Sequence, residues 1–279
     1  MIKTALLGHP LGHSLSGVIH TAAFKSVNLD GKYELIDVAP NKLDETIERL
    51  KKEGFAGFNV TIPHKVEVKG RLQLWDMLVD YAGATNCVKI KPDGAMYGYN
   101  TDIYGFTEAI PVEKRGNLVG KKALVLGNGG AARAVAVALV MMKVGNIDFL
   151  VRNLEKASAL HELMQNNFKN TSCQLIQTVA DISQYSIIVN ATPLGMFGEN
   201  VGKMPLAASI LEKANKDTIA YDLVYNPLET AFLKTSKELG LYTIGGLDML
   251  VYQAQKAFKI FTGKQPDFEK MKEAALKFL

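Results

Sequence analysis

Apolar positions in this chain switch repeatedly between consecutive runs and one-face helical spacing, so strands and helices alternate along nearly its whole length. Residues 2–7 form a short apolar run closed by Gly8, which predicts a buried strand. The spacing over 15–28 predicts a helix, for which Ser14 or Ser16 is the N-cap, and 32–38 predicts a second strand. Pro40 or Asn41 then opens an amphipathic helix with Leu43, Ile47 and Leu50 on one face. Residues 57–63 read as a third strand, with His64 and Lys65 just past its carboxyl end. A helix is predicted around 72–82, followed by a hairpin in which 86–90 and 95–99 flank the turn Lys91-Pro-Asp-Gly94. A helix over 102–110 and a polar, glycine-bearing link over 113–121 close this half.

The second half repeats the alternation, with strands at 122–126, 147–151, 173–177, 186–190, 218–222 and 241–244. Helices are predicted at 130–142, 154–167 and 229–239, then at 247–261 and 267–278. Alternation of this kind calls for α/β architecture with parallel sheets. The expected division is an N-terminal α/β domain, 1–101 joined by 247–279, and a doubly wound, Rossmann-like domain over 102–246. The last two helices are expected to return to the first domain.

One stretch carries chemistry by its spacing. Gly127, Gly129 and Ala132 occupy the first, third and sixth places of G-x-G-x-x-[G/A], directly after a strand and at the opening of a helix. The first glycine permits a tight turn, the second lets backbone approach a pyrophosphate, and the small third residue lets helix and strand pack closely. The free N–H groups at the helix start complete an anion site. The residue that meets the adenosine ribose belongs at the end of the next strand, where Leu150-Val-Arg-Asn153 has no acid to grip a 2′-hydroxyl. Arg152 there suits a 2′-phosphate, which favours NADP over NAD, although a surface arginine at a helix start reads the same way.

Composition narrows the field. Of 279 residues 48% are hydrophobic and 22% charged, as in a globular protein, and the net charge of +4 comes from scattered lysines, which argues against a nucleic-acid surface. Cys87 and Cys173 make neither a disulfide framework nor a zinc spacing, and the five histidines (9, 13, 20, 64 and 161) are not paired with acids at metal spacing, so no metal is expected. No apolar run reaches membrane-spanning length and the first residues do not read as a signal peptide. A cytoplasmic protein, monomer or homodimer, that binds small molecules and neither nucleic acid nor membrane is the expectation.

Outside the glycine motif, small polar residues cluster at predicted strand ends: His13-Ser-Leu-Ser16, Asn59-Val-Thr-Ile-Pro-His-Lys65, Gly83-Ala-Thr-Asn86, Tyr99-Asn-Thr-Asp102 and Gln253. Open α/β sheets place ligands at such ends, and hydroxyls, amides, one lysine and one aspartate suit a polyhydroxylated small molecule. Singly, each has a plainer use: Ser14, Ser16 and Asp102 as helix caps, Asn59 and Asn86 as turn residues.

With Asn190-Ala-Thr-Pro-Leu-Gly-Met196, Tyr221-Asp-Leu-Val-Tyr-Asn-Pro227 and Gly246-Leu-Asp-Met-Leu-Val-Tyr-Gln253, these motifs resemble the shikimate dehydrogenase family from Gly8 to Gly263. The resemblance implies reversible, NADPH-linked reduction of 3-dehydroshikimate to shikimate, in the route to chorismate and aromatic amino acids. It implies Lys65 and Asp102 as the catalytic pair, with Ser14, Ser16, Asn59, Thr61, Asn86, Tyr225 and Gln253 around the substrate. It places Gly127, Asn128, Gly129, Gly130, Ala131, Arg152, Asn153, Thr192, Leu223 and Gly246 around the cofactor. Whether Lys65 donates the proton or chiefly orients by its charge stays open at this level, because a neighbouring carboxylate favours the charged lysine and burial opposes it. The chain departs from the family pattern at Gly17, Cys87, Ile103, Asn128, Val151 and Phe261, none of them the lysine, the aspartate or the serines. A quinate/shikimate dehydrogenase with relaxed cofactor use and a non-catalytic metabolite sensor are the competing readings.

Overall fold

The computed structural model describes every residue except His13 and Lys169, and it divides into two compact units. One comprises Met1–Gly105 with Val251–Leu279, the other Phe106–Leu250.

In the first unit, β1 (Ile2–Gly8), β2 (Gly31–Asp37), β3 (Gly57–Val60), β4 (Leu74–Trp75), β5 (Cys87–Ile90) and β6 (Met96–Tyr99) form a sheet in the order β2-β1-β3-β5-β6-β4. β1 runs parallel to β2 and β3, whereas β5 returns antiparallel to both β3 and β6. The apolar run that marks β1 buries Ala5 and Leu7, and the predicted amphipathic helix (Leu43–Lys52) lays Leu43, Ile47 and Leu50 on the same core with Phe58 and Val88. The C-terminal helix Phe268–Leu276 packs on the first helix, Ser16–Ser26, within this unit.

The helix predicted around 72–82 is half strand. Leu74–Trp75 pairs with β6, and only Met77–Ala82 is helical. The ladder captures this segment because Gln73 N–H and Asp76 N–H donate to Met96 and Gly98 carbonyls at 3.2 and 3.0 Å. Asp76 then starts the helix, its Oδ1 accepting from Leu78 N–H at 2.7 Å.

In the second unit, β7 (Lys122–Leu126), β8 (Asn146–Val151), β9 (Thr171–Leu175), β10 (Tyr185–Asn190), β11 (Ile219–Asp222) and β12 (Tyr242–Ile244) lie in the order β12-β11-β10-β7-β8-β9. Every pair is parallel. This is the doubly wound order, with its switch point between β7 and β10. β9 begins two residues earlier than its apolar pattern suggests, since pairing of Thr171 with Ile147 of β8 sets the register. Leu124, Leu150, Ile188 and Phe232 fill one face. Among the described residues no helix is long and apolar enough to cross a membrane.

His20, on the buried face of the first helix, lies flat against Tyr33 of β2 with ring centroids 3.9 Å apart, and its Nδ1 has no hydrogen-bond partner among the described residues. Burial lowers its pKa to about 3. The unfolded chain takes up a proton near the ordinary value of about 6.5, while the folded state does not do so until near 3. This group's contribution is therefore fully present above about pH 6.5 and is lost as pH falls toward 3, by up to about 1.4 kcal/mol per pH unit. Urea midpoints between pH 7.5 and 4.5 should fall more steeply for the wild type than for His20→Phe, and equal slopes would refute the assignment.

Candidate active site

Lys65 is placed by a chain of backbone constraints. The peptide following β3 turns so that His64 N–H donates to Thr61 carbonyl at 2.9 Å, and the fully buried His64 ring donates from Nε2 to Val38 carbonyl at 2.7 Å. Lys65 carbonyl accepts from Thr85 N–H at 2.7 Å. Fixed on both sides, Lys65 donates from Nζ to Asp102 Oδ2 at 2.7 Å, with the lysine side chain 16% and the aspartate 8% exposed. Asp102 sits in the first turn of helix Thr101–Ala109, where the helix field favours a carboxylate.

Asn86 completes the pair. Its Nδ2 donates to Asp102 Oδ1 at 2.8 Å and to Thr101 Oγ1 at 2.9 Å, while its Oδ1 accepts from Thr101 N–H at 2.7 Å. Gln253 Oε1 stands 3.5 Å from both Asn86 Nδ2 and Thr101 Oγ1. Asn59 Nδ2 donates to Asn86 carbonyl at 3.0 Å, and its Oδ1 accepts from Tyr33 hydroxyl at 2.9 Å. Ser14 Oγ accepts from Ser16 N–H at 3.3 Å, so Ser14 steadies the start of the first helix, whose first residue is Ser16. His13 of the same motif lies outside the described residues. Thr61, just past β3, is held through its backbone, its N–H donating to Leu7 carbonyl at 2.9 Å.

Thus Lys65, Asp102, Asn86, Asn59 and Gln253 share one hydrogen-bonded cluster, joined by Thr101 and Tyr33, which the spacing of residues did not single out. Thr101 was visible only as the middle of Asn100-Thr-Asp102. Tyr33 had no local signal, because its partners come from strands distant in sequence. Burial pushes the Cys87 thiol up, so the residue at this departure from the family pattern is a neutral, fully buried neighbour.

The other candidates lie in the second unit, at the carboxyl ends of its parallel strands. Gly127 follows β7 with φ of +111°, and a Cβ there would stand 3.1 Å from Thr192 Cγ2 and 3.2 Å from Ala191 carbonyl oxygen. Gly129, by contrast, adjoins open space and has φ −80°, allowed to any residue. None of the described residues requires glycine at 129, whereas a ligand laid against the backbone would. The helix Gly130–Met141 starts here with no side-chain cap among the described residues, so the N–H groups near Gly130 and Ala131 are available to an anion.

Arg152 is exposed past the end of β8. Asn153 Oδ1 caps the next helix by accepting from Lys156 N–H at 2.9 Å, and Asn128 Nδ2 donates to Lys156 carbonyl at 3.0 Å. After β10, Thr192 hydroxyl donates to Asn190 Oδ1 at 2.6 Å. Asn190 Nδ2 donates to Asp222 Oδ1 at 2.9 Å, and Leu223 N–H to Asn190 carbonyl at 3.0 Å. Burial pushes the Asp222 carboxyl up to about 6 despite donors from Thr230, Val224 N–H and Asn190. Gly246 N–H donates to Val224 carbonyl at 3.2 Å, and any Cβ at 246 would overlap Leu223 carbonyl. Tyr225 is partly buried, which raises its phenol pKa. These residues could hold a dinucleotide: a glycine beside open space, a helix start without a side-chain cap among the described residues, and an exposed arginine, not an acid, past the end of β8.

Two substitutions separate the fold's glycine from the ligand's. Gly127→Ala should destabilise the protein by about 1–2 kcal/mol, because a side chain at that φ is strained. Gly129→Ala should leave the thermal midpoint within a degree or two but weaken dinucleotide binding tenfold or more in calorimetric titration. Unimpaired binding by Gly129→Ala would remove the glycine from the site.

Three family models match in chain order: the shikimate dehydrogenase substrate-binding domain over residues 6–88, the shikimate/quinate 5-dehydrogenase model over 111–197, and the shikimate 5′-dehydrogenase C-terminal domain over 246–276. The shikimate dehydrogenase (NADP(+)) of Methanocaldococcus jannaschii is 41% identical over 97% of this chain and 95% of its own length. The crystal structure of shikimate 5-dehydrogenase from Thermus thermophilus with NADP(H) and shikimate superposes with a TM-score of 0.86 at 36% identity, covering 100% of each chain. Quinate dehydrogenase from Corynebacterium glutamicum in complex with NAD reaches 0.88 at 30% identity, covering 99% of each chain. The chain belongs to the shikimate dehydrogenase family.

Proposed function

We propose that this protein catalyses the reversible, NADPH-linked reduction of 3-dehydroshikimate to shikimate, in the cytoplasm, with Lys65 and Asp102 as its catalytic pair. The observation that carries the reading is the nearly buried Lys65–Asp102 contact of 2.7 Å, tied by Asn86 into a cluster of hydroxyl- and amide-bearing side chains. An unliganded core has no need of such a cluster; a small polyol has. Residues 1–101 with 247–279 take the substrate, and 102–246 take the dinucleotide.

Bound at the carboxyl ends of the second sheet, NADPH supplies the hydride. Arg152 pairs with the 2′-phosphate through its planar, permanently charged fork. N–H groups at the start of Gly130–Met141 receive the pyrophosphate, with Gly129 leaving room for it. Asn128, Asn153, Thr192, Leu223 and Gly246 frame the remainder.

On the substrate side, Ser14, Ser16, Asn59, Thr61, Asn86, Tyr225 and Gln253 hold the hydroxyls and carboxylate. As the carbonyl carbon becomes tetrahedral, negative charge develops on its oxygen. Lys65 Nζ faces that oxygen, offsets the charge and donates a proton to it; in the oxidation direction the same nitrogen takes the proton back. Asp102 holds the ammonium with one carboxylate oxygen, and Asn86 secures the other, so the lysine is aimed before the substrate arrives.

Initial rates of shikimate oxidation, followed by nicotinamide absorbance with NADP, NAD and quinate in parallel, test the assignment. Turnover confined to shikimate and NADP is the expected result. Comparable rates with quinate and NAD would move the protein toward the quinate enzymes, and binding without turnover would make it a sensor. Lys65→Ala and Asp102→Asn should each lower kcat by about 10²–10⁴-fold with KM for shikimate changed less than about fivefold. A Lys65→Ala enzyme of near-normal kcat would remove the lysine from the chemistry. Arg152→Ala should raise KM for NADP at least tenfold while leaving that for NAD unchanged.

A further inference from the structure

Tyr33 lies on β2, the edge strand of the first sheet, yet its hydroxyl reaches the substrate-binding set assigned above. Parallel register explains the reach. Tyr33 stands opposite Thr4 of β1, and Asn59 of β3 stands opposite Leu6, two residues nearer the carboxyl end on the same face. The Tyr33 ring therefore crosses β1 diagonally, and its hydroxyl donates to Asn59 Oδ1 at 2.9 Å.

The polarity of this contact is fixed by what lies beyond it. Asn59 Nδ2 must face Asn86 carbonyl, 3.0 Å away, since the amide oxygen there would oppose another acceptor. That leaves Asn59 Oδ1 toward Tyr33, whose single proton is committed to it. Donation runs in one direction, from Tyr33 to Asn59 and on to the Asn86 carbonyl. Asn86 in turn holds Asp102. The ring is also the surface on which His20 of the first helix stacks, at 3.9 Å and 8° from parallel, so Tyr33 bears on the element that begins at Ser16.

We propose that Tyr33 is a positioning residue of the substrate site, its hydroxyl orienting Asn59 for an anionic, hydroxylated substrate while taking no part in the hydride or proton step. A phenylalanine would serve the stacking on His20 equally well, so the hydroxyl is the part that packing does not explain.

The inference rests on the shikimate reading, and steady-state kinetics of the intact protein separate the two. Wild-type enzyme, Tyr33→Phe, Asn59→Ala and the double variant are compared with shikimate and NADP. Tyr33→Phe should raise KM for shikimate about 5–20-fold, with kcat within twofold and KM for NADP unchanged. In the double variant the two effects on KM should fall short of multiplying, because Tyr33 acts through Asn59. Replacing Tyr33 by 4-aminophenylalanine, which keeps the ring and restores a donor, should return KM toward the wild-type value and remains informative should the phenylalanine variant fail to fold. A purely structural tyrosine would lower the thermal midpoint and leave KM for shikimate alone, which would overturn the inference. So would KM effects that multiply fully, or a 4-aminophenylalanine protein no better than Tyr33→Phe. Failure of the wild type to oxidise shikimate would overturn the functional reading, and this inference with it.

Discussion

The Asn86 side chain is the constraint on which the candidate site depends. A buried primary amide has to satisfy donors and an acceptor at once, and this one does so with Thr101 and Asp102 while the Asn86 backbone carbonyl serves Val60 and Asn59. Three elements remote in sequence meet there: the end of β3, the start of β5 and the first turn of helix Thr101–Ala109. Its partners would be left unpaired in a low-dielectric interior if it moved, so it makes the Lys65–Asp102 geometry a property of the fold rather than of a free side-chain pair.

The second unit solves a different problem by backbone geometry. Five candidate segments follow β7, β8, β10, β11 and β12 at their carboxyl ends, because every strand in that sheet runs the same way. Asn190 and Asp222 join two of those ends with a buried hydrogen bond, and the Gly246 backbone closes on Leu223 and Val224. Glycine appears there for two reasons. At 246 the protein's own carbonyl leaves no space for a side chain; at 129 the protein leaves space that a ligand would occupy.

The departures from the family pattern fall mostly where packing absorbs them. Cys87 and Ile103 are buried and apolar in character, and Phe261 joins Cys87 and Ala257 in a small cluster. Val151 is the last residue of β8 and buried, so it offers no polar group beside Arg152. Asn128 uses its amide on Lys156 carbonyl, which ties the glycine turn to the next helix.

The sequence by itself determined the alternation of strand and helix, the amphipathic face of Leu43, Ile47 and Leu50, the Lys91–Gly94 hairpin and the glycine turn after β7. Each is a local pattern whose signal lies within a few residues. It also determined which residue types were present for chemistry, since Lys65, Asn86 and Asp102 stand in motifs legible by spacing. What only the tertiary structure decided is what touches what. The strand at Leu74–Trp75 overrides a helical reading because a neighbouring strand offers its N–H and C=O groups a ladder. Thr101 and Tyr33 join the site because strand register, a long-range property without local periodicity, brings them to Asn86 and Asn59. His20 becomes a buried neutral ring only when the first helix docks on β2, because desolvation depends on three-dimensional surroundings and not on neighbours along the chain.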